Sequence, residues 1–178
     1  MVSTFQSNRK LLMKRFLFIS LIATSLISCS GDKKIAYVEN YKLYSGFDLT
    51  KELQGELTNY QSKEQNYLDS LNLIFNQQTN YLQSLEEIPS EDYASYNEFR
   101  NFLALKQKSF DEEVMLKSQE YDQQIWERIN TYVTTYAEEN EFDVVLGASG
   151  NGSLMYAKED LDITEDLIQY CNTKYGGE

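Results

Sequence analysis

The side chains that perform most enzyme chemistry are scarce in this sequence. It contains no histidine, which removes Ser-His-Asp triads, imidazole metal ligands and the commonest general base. Adjacent acids occur at Glu112-Glu113 and Glu138-Glu139, but neighbouring residues of a helix diverge by about 100° and do not converge on one substrate. The sequence therefore predicts a protein that is not an enzyme, with no catalytic residue, metal site or cofactor.

The balance of charges limits the partners that the chain can bind. Its 178 residues include 16 Lys and Arg against 28 Asp and Glu, for a net charge of −12. Nucleic-acid binding needs clustered cations, so this charge argues against it, and also against simple electrostatic adhesion to an anionic bilayer. Hydrophobic residues make up 42 % of the chain, enough for one domain of ordinary size.

The first 28 residues have the pattern of an export signal. Four basic residues precede an apolar run at 16–27, and no acid occurs before Asp32. The run has about 12 residues, which is short of the roughly 20 that a membrane-spanning helix needs. Either Met1 or Met13 can be the start of the signal.

The end of this segment, Leu26-Ile27-Ser28-Cys29, resembles the bacterial lipobox. The resemblance implies that residues 1–28 are a lipoprotein signal peptide and that Cys29 is acylated. The alternative is a cut elsewhere that leaves an incidental cysteine. Residues 29–34 then form the anchor and tether. Removing residues 1–28 removes four cations and no acid, so the remaining chain has 12 cations, 28 acids and a charge of −16. Cys171 is left without a disulfide partner and is predicted to be a buried apolar residue.

A β-rich run and a long helical repeat follow the tether. Residues 34–39 predict a strand, residues 41–47 a short helix, and Asp48 caps the next helix. That helix has apolar or aromatic residues at alternating steps of three and four, which predicts a narrow stripe buried against a partner helix. The predicted stripe is Leu57, Tyr60, Glu64, Tyr67, Leu71, Ile74, Gln78, Tyr81, Leu85 and Ile88.

The only proline, Pro89, predicts the turn between two long helices, because proline disfavours helix at the residue before it. Ser90 is the predicted cap of the second helix, which runs to about residue 140. Its apolar positions have steps closer to an eleven-residue repeat. They are Phe110, Val114, Ser118, Tyr121, Ile125, Ile129, Tyr132 and Tyr136, with Ser118 filling a gap.

The C-terminal part has two short apolar runs around a loop rich in glycine. Residues 141–146 and 153–157 predict a β-hairpin closed by the loop 147–152. A phosphate-binding loop would end in Lys-Ser or Lys-Thr and lead into a helix, and this loop does neither. Thr164 is the predicted cap of a last helix. Three short strands and a short helix bury little from one chain, which predicts assembly of several copies through their strand edges.

This order of elements resembles the Skp/OmpH family of periplasmic holdase chaperones. The resemblance covers residues 34–175 and is carried by the two ends of the chain. The segments that carry it are 34–38, 41–47, 142–146, 154–157 and the Leu161-Asp162-Ile163-Thr164 start of the last helix. The resemblance implies a fold that is mainly α with a small β part, in which a long antiparallel helical hairpin, residues 48–140, projects from a small β-body, residues 35–47 and 141–178. It also implies that a homotrimer completes the body.

The same resemblance implies a function. Three hairpins enclose a cavity that holds unfolded outer-membrane proteins without ATP, on the periplasmic side of the envelope. The anchor is a separate expectation: Ser30, not an aspartate, follows Cys29, which by resemblance to lipoprotein sorting signals favours the inner leaflet of the outer membrane. Aromatic side chains along the hairpin are candidates for contact with these clients, although they can equally pack the two helices together. The candidates are Tyr60, Tyr67, Phe75, Tyr81, Tyr93, Tyr96, Phe99, Phe102 and Phe110.

The chain departs from the family in its charge and in its lipobox. Well-known members are soluble and strongly basic, whereas this chain is acidic and has a lipobox. The hairpin tip at 85–95 has four acids and no cation. The resemblance would imply that a basic tip contacts lipid, and this expectation does not apply to an acidic tip. The alternative function is a structural or adaptor coiled-coil lipoprotein of the cell envelope.

Overall fold

The computed structural model describes residues 33–177. The predicted signal peptide and the acylation of Cys29 lie outside these residues. The elements in chain order are strand β1 (Ile35–Glu39), helices α1 (Asn40–Gly46), α2 (Asp48–Gln83) and α3 (Ser90–Glu139), strand β2 (Val144–Ala148), a 3₁₀ turn (Glu159–Leu161) and helix α4 (Thr164–Gly176).

The two strands form a parallel pair, in which Ile35 lies opposite Val144 and Glu39 opposite Ala148. The long helices α2 and α3 form the connection between them. Parallel strands cannot be joined by a tight turn, and the helical hairpin supplies the long crossover that they need.

The predicted β-hairpin at 141–146 and 153–157 is wrong. Residues 149–158 form a loop in which Gly150 and Gly152 have positive φ, a conformation that interrupts an extended strand. The second edge of β1 is occupied instead by the segment before α4. There, the Ile163 N–H donates to the Tyr37 carbonyl at 3.0 Å, and Asp162 forms a parallel bridge with Tyr37.

A core of fully buried side chains holds the body together. Leu43 and Phe47 pack with the roots of α2 and α3 and with Leu167 and Cys171 of α4. The burial predicted for Cys171 is confirmed, and burial raises the pKa of its thiol to about 12. The ends of α2 and α3 nearest the body also contribute core residues, Ile125 among them. One chain therefore has a larger core than the sequence predicts from the strands and α4 alone.

Helices α2 and α3 are antiparallel, since residues near the start of α2 contact residues late in α3. With 36 and 50 residues they are about 54 and 75 Å long. Helix α2 ends at Gln83, before Leu85 and Ile88 of the predicted stripe, and the chain tightens there, since the Leu85 N–H donates to the Leu82 carbonyl.

The predicted helix caps are also wrong in detail. Asp48, Ser90 and Thr164 are the first helical residues, and none of the described helices starts with a side-chain cap of the predicted kind. At α4 the cap-like bond comes from Asp162, whose carboxylate accepts from the Thr164 N–H at 2.9 Å.

The stripe that joins α2 to α3 has the predicted period; one of its two predicted series on α2 is confirmed, and the other is shifted by one residue. We call this stripe the seam. On α2 it consists of half-buried or buried residues in two series seven apart, namely Leu57, Glu64, Leu71 and Gln78, and Gln61, Leu68, Phe75 and Leu82. The second series lies one residue beyond the predicted Tyr60, Tyr67, Ile74 and Tyr81. On α3 the prediction is confirmed, with all eight positions from Phe110 to Tyr136 buried or half-buried.

The shift has a physical cause in the sequence of α2. Three adjacent columns of this helix contain apolar residues, and contact with one antiparallel helix buries only two of them. The column containing Phe75 enters the seam because aromatic rings of α3 lie opposite it. The column containing Tyr67, Ile74 and Tyr81 is left beside the seam.

Candidate functional site on one side of the helical hairpin

Tyrosine–carboxylate hydrogen bonds connect the two long helices. The Tyr60 hydroxyl of α2 donates to the Glu113 carboxylate of α3, and the Tyr121 hydroxyl of α3 donates to Glu56 at 3.2 Å. The bond to Glu113 is the main cause that raises the pKa of Tyr60 to about 12, and the same bond lowers the pKa of Glu113. These contacts fix how the two helices are rotated about their axes.

An aromatic cluster packs the outer half of the seam. The Phe75 ring stacks on Tyr96 with 4.9 Å between centroids and meets Phe99 edge-on at 5.8 Å. Phe99 also stacks on Phe102 of its own helix at 6.1 Å. Of the nine candidate residues, Phe75, Tyr96 and Phe99 therefore join the helices, as the packing alternative proposed.

Other candidates lie exposed beside the seam. Tyr67 is 47 % exposed and Tyr81 57 %, and Ile74 between them is 53 % exposed. They are seven residues apart, and seven residues return to nearly the same side of a helix. On α3, Phe102 is 39 % exposed. Four large apolar side chains thus stay in contact with solvent along the outer half of the hairpin.

The bond between Tyr60 and Glu113 places these four residues on the same side of the hairpin. Tyr60 is seven residues before Tyr67, so it begins the same column of α2. Glu113 is eleven residues after Phe102, which is three helical turns. Because Tyr60 and Glu113 meet beside the seam, Tyr67 and Phe102 flank it on that side too. We call the set Tyr67, Ile74, Tyr81 and Phe102 the apolar side.

The opposite side of the hairpin is polar. Its column on α2 contains Gln65, Asn72 and Thr79, again seven residues apart. A shallow cleft on this side is lined by polar side chains of α2 and by both apolar and acidic side chains of α3. The lining residues are Gln61, Ser62, Gln65, Asn66, Phe110, Asp111 and Val114. Among the candidates, Phe110 is half-buried in this cleft, and Tyr93 is exposed near the start of α3.

Sequence reasoning missed a second set of exposed apolar residues. Leu73 on α2 and Leu105, Met115 and Leu116 on α3 are all more than half exposed. Leu73 is adjacent to Ile74, so it points away from the seam rather than beside it. In the sequence, these residues can be found as apolar positions of a long helix that lie outside its period-seven columns.

The body exposes an apolar surface on one face of its sheet. The register pairs Ile35 with Val144 and Tyr37 with Leu146, and side chains at these alternate positions share a face. Ile35, Val144 and Leu146 are exposed there, as is Met155 in the loop that follows. Within residues 33–177, no strand pairs with the outer edge of β2.

Between residues 33 and 177, no three His, Cys, Asp or Glu side chains are placed to hold a metal ion. In that same range none of the helices is both long and apolar enough to cross a bilayer.

The comparisons with known proteins agree with this architecture. The model of the OmpH-like outer membrane protein family matches residues 34–170. A crystal structure from Caulobacter crescentus CB15, assigned by inference as an OmpH-like outer membrane chaperone, superposes with a TM-score of 0.63 at 12 % identity. The alignment covers 82 % of this chain and 88 % of that one. No curated protein matches the sequence.

A long helical hairpin on a small α/β body is thus the fold that this chain shares with the Caulobacter structure. The family match extends from the first residues of the body through the first half of α4. The chain belongs to the OmpH-like family, and the expected resemblance is confirmed. Membership places the chain in a family of chaperones.

Proposed function

We propose that this protein is an ATP-independent holdase chaperone that binds unfolded outer-membrane and other envelope proteins in the periplasm. The apolar side of the hairpin is the observation that supports this most directly. An unfolded chain presents scattered apolar side chains, and a surface that offers several weak apolar contacts holds it without selecting one sequence. Tyr67, Ile74 and Tyr81 lie about 10 Å apart along α2 and offer such contacts.

The proposal includes a homotrimer. The exposed sheet face around Ile35, Val144 and Leu146, together with the free edge of β2, is suited to pairing with other copies. Pairing there would set several hairpins side by side. If their apolar sides face inward, three copies enclose a space lined by the residues that would contact a client.

The proposal also includes attachment to the membrane. The lipobox-like segment ending at Cys29 supports acylation of that residue, and several acyl chains on one cysteine would anchor the protein stably. We place the anchor in the inner leaflet of the outer membrane, with the hairpin in the periplasm.

An aggregation assay tests the function. The purified protein, mixed at near-stoichiometric ratio with a urea-denatured outer-membrane protein, is expected to suppress light scattering after dilution of the urea. The triple variant Tyr67→Ser, Ile74→Ser, Tyr81→Ser is expected to lose most of this suppression.

Exposed leucines that do not belong to the apolar side provide the matched control. The variant Leu73→Ser, Leu105→Ser, Leu116→Ser removes as many exposed apolar groups while it leaves Tyr67, Ile74, Tyr81 and Phe102 in place, and is expected to retain suppression. Equal loss in both variants would contradict a client site on the apolar side. Failure of the wild-type protein, together with a stable stoichiometric partner in pull-downs, would favour the adaptor function instead.

A further inference from the structure

The outer half of the hairpin has an unusual distribution of charge. Residues 64–99, which we call the distal segment, contain no lysine and no arginine, and the cations that border it are Lys63 and Arg100. The segment includes the end of α2, the turn and the start of α3. It contains seven acids, namely Glu64, Asp69, Glu86, Glu87, Glu91, Asp92 and Glu98.

Some of these acids lie on the same side as the apolar residues. Glu91 is eleven residues before Phe102 and Glu98 is four before it, so both share its side of α3. Both are exposed, and the ion pairs among the described residues involve neither. The apolar side is therefore bordered by negative charge from the level of Ile74 to the tip.

Cations become frequent on the body side of this region. Lys106 is one turn beyond Phe102 on α3, and its charge acts on Glu113, where it contributes to the lowered pKa of that carboxyl group. Beyond Lys106 toward the body, Lys108 and Lys117 also occur on α3. The outer half of the hairpin thus combines the apolar side with seven acids and with no lysine or arginine in the distal segment.

We propose that the apolar side and the acids of the distal segment together select unfolded polypeptide segments that are both apolar and cationic, and disfavour acidic ones. The inference rests on the proposed holdase function and specifies its clients. Apolar contacts with Tyr67, Ile74, Tyr81 and Phe102 supply affinity, and Glu91 and Glu98 supply charge complementarity. The span from Tyr67 to Tyr81 is about 21 Å, which matches an extended segment of about six residues.

The test uses three synthetic peptides and the purified protein. The peptides share the same apolar residues at the same positions and differ only in having Lys, Gln or Glu at the others. Fluorescence anisotropy at low salt is expected to show the tightest binding for the Lys peptide, weaker binding for the Gln peptide and the weakest for the Glu peptide. We expect a ratio of about tenfold between the Lys and Glu peptides, which shrinks toward one at about 1 M salt, where charges are screened beyond roughly 3 Å.

A charge-neutralised variant and a matched control locate the effect. The variant Glu87→Gln, Glu91→Gln, Glu98→Gln is expected to lose most of the Lys-over-Glu preference while it still binds the Gln peptide. The control Asp111→Asn, Glu112→Gln, Glu120→Gln removes the same charge from exposed positions of α3 outside the distal segment. It is expected to keep the preference.

The outcomes separate this inference from the proposed function. Equal binding of all three peptides would overturn the charge selection and leave the holdase in place, whereas no binding of any peptide would remove both. Equal loss of preference in the variant and the control would show an effect of net charge alone, and would overturn the assignment to the distal segment. A lower oligomer mass for Tyr67→Ser, Ile74→Ser, Tyr81→Ser would show that a second copy covers the apolar side, which would also overturn it.

Discussion

The body and the hairpin bury their apolar residues in different ways. In the body, Phe47, Leu167 and Cys171 are fully buried among side chains from four helices and a sheet. In the outer hairpin, only Leu68, Leu82 and Leu103 are buried, and most of the seam is half-exposed. Two helices in contact cover one stripe of each other, so the remaining apolar columns stay in solvent. The body is built for stability, and the hairpin keeps apolar surface available.

Truncation in the body is expected to have the largest effect on stability. Phe47 has no exposed surface and meets the rings of Tyr132 and Tyr175 edge-on, at 6.0 and 5.6 Å between centroids. Phe47→Ala leaves a cavity that these neighbours cannot fill, and should cost about 3–5 kcal/mol in the free energy of unfolding measured by urea titration. A loss below about 1 kcal/mol would show that the body does not depend on this core.

The same kind of truncation in the seam is expected to cost less. Leu68 is buried, but exposed residues surround it on its own helix, so the gap left by Leu68→Ala can be reached by water or closed by movement of the helices. We expect Leu68→Ala to lower the free energy of unfolding by about 2 kcal/mol, the lower end of the range for such changes. Hydrogen exchange should speed up in α2 and α3 more than in β1 and β2. Uniform acceleration across the whole chain would contradict the contrast between hairpin and body.

A smaller effect with a defined pH dependence is expected at Glu113. Its pKa is lowered mainly because it accepts from Tyr60, and also from Ser109. A lowered pKa in the folded state stabilises the protein above the unfolded pKa, and this stabilisation disappears as the pH falls through the folded value. The melting temperature of wild type should therefore exceed that of Glu113→Gln at pH 7, with the difference vanishing in acid.

Two tyrosine variants control this measurement. Tyr60→Phe removes the donor and should behave like Glu113→Gln, whereas Tyr67→Phe, one heptad away on the apolar side, should follow wild type at every pH. A pH profile of Tyr60→Phe identical to that of wild type would show that the bond to Glu113 contributes nothing to holding the helices together.

The sequence predicted the body and the hairpin unequally. The turn at Pro89 and the periodic positions of α3 were predictable because each depends on local chemistry or on a single helical stripe. The register of the seam on α2 was not, since Leu68 and Tyr67 are neighbours in adjacent apolar columns. The choice between them depends on Tyr96 and Phe99 of a different helix.

The strand order shows the same limit. The segments at 141–146 and 153–157 look alike as β-formers, but only the first overlaps a strand, which is displaced to Val144–Ala148. The place beside β1 is taken by Asp162 and Ile163, which become neighbours of Tyr37 only when α4 packs on the body. The exposure of Tyr81 and the burial of Phe75 likewise follow from tertiary contacts. The sequence therefore identifies the candidate residues but does not show which of them are packed and which are exposed.

Site-specific photo-crosslinking tests most directly whether one side of the hairpin holds the client. A photoreactive phenylalanine analogue at position 74 or 81 places the probe on the apolar side, and the same analogue at 72 or 79 places it on the polar side of the same helix. With a denatured outer-membrane protein as client, the account predicts crosslinks from 74 and 81 and few from 72 and 79. Equal yields from both sides, or higher yields from 72 and 79, would contradict it.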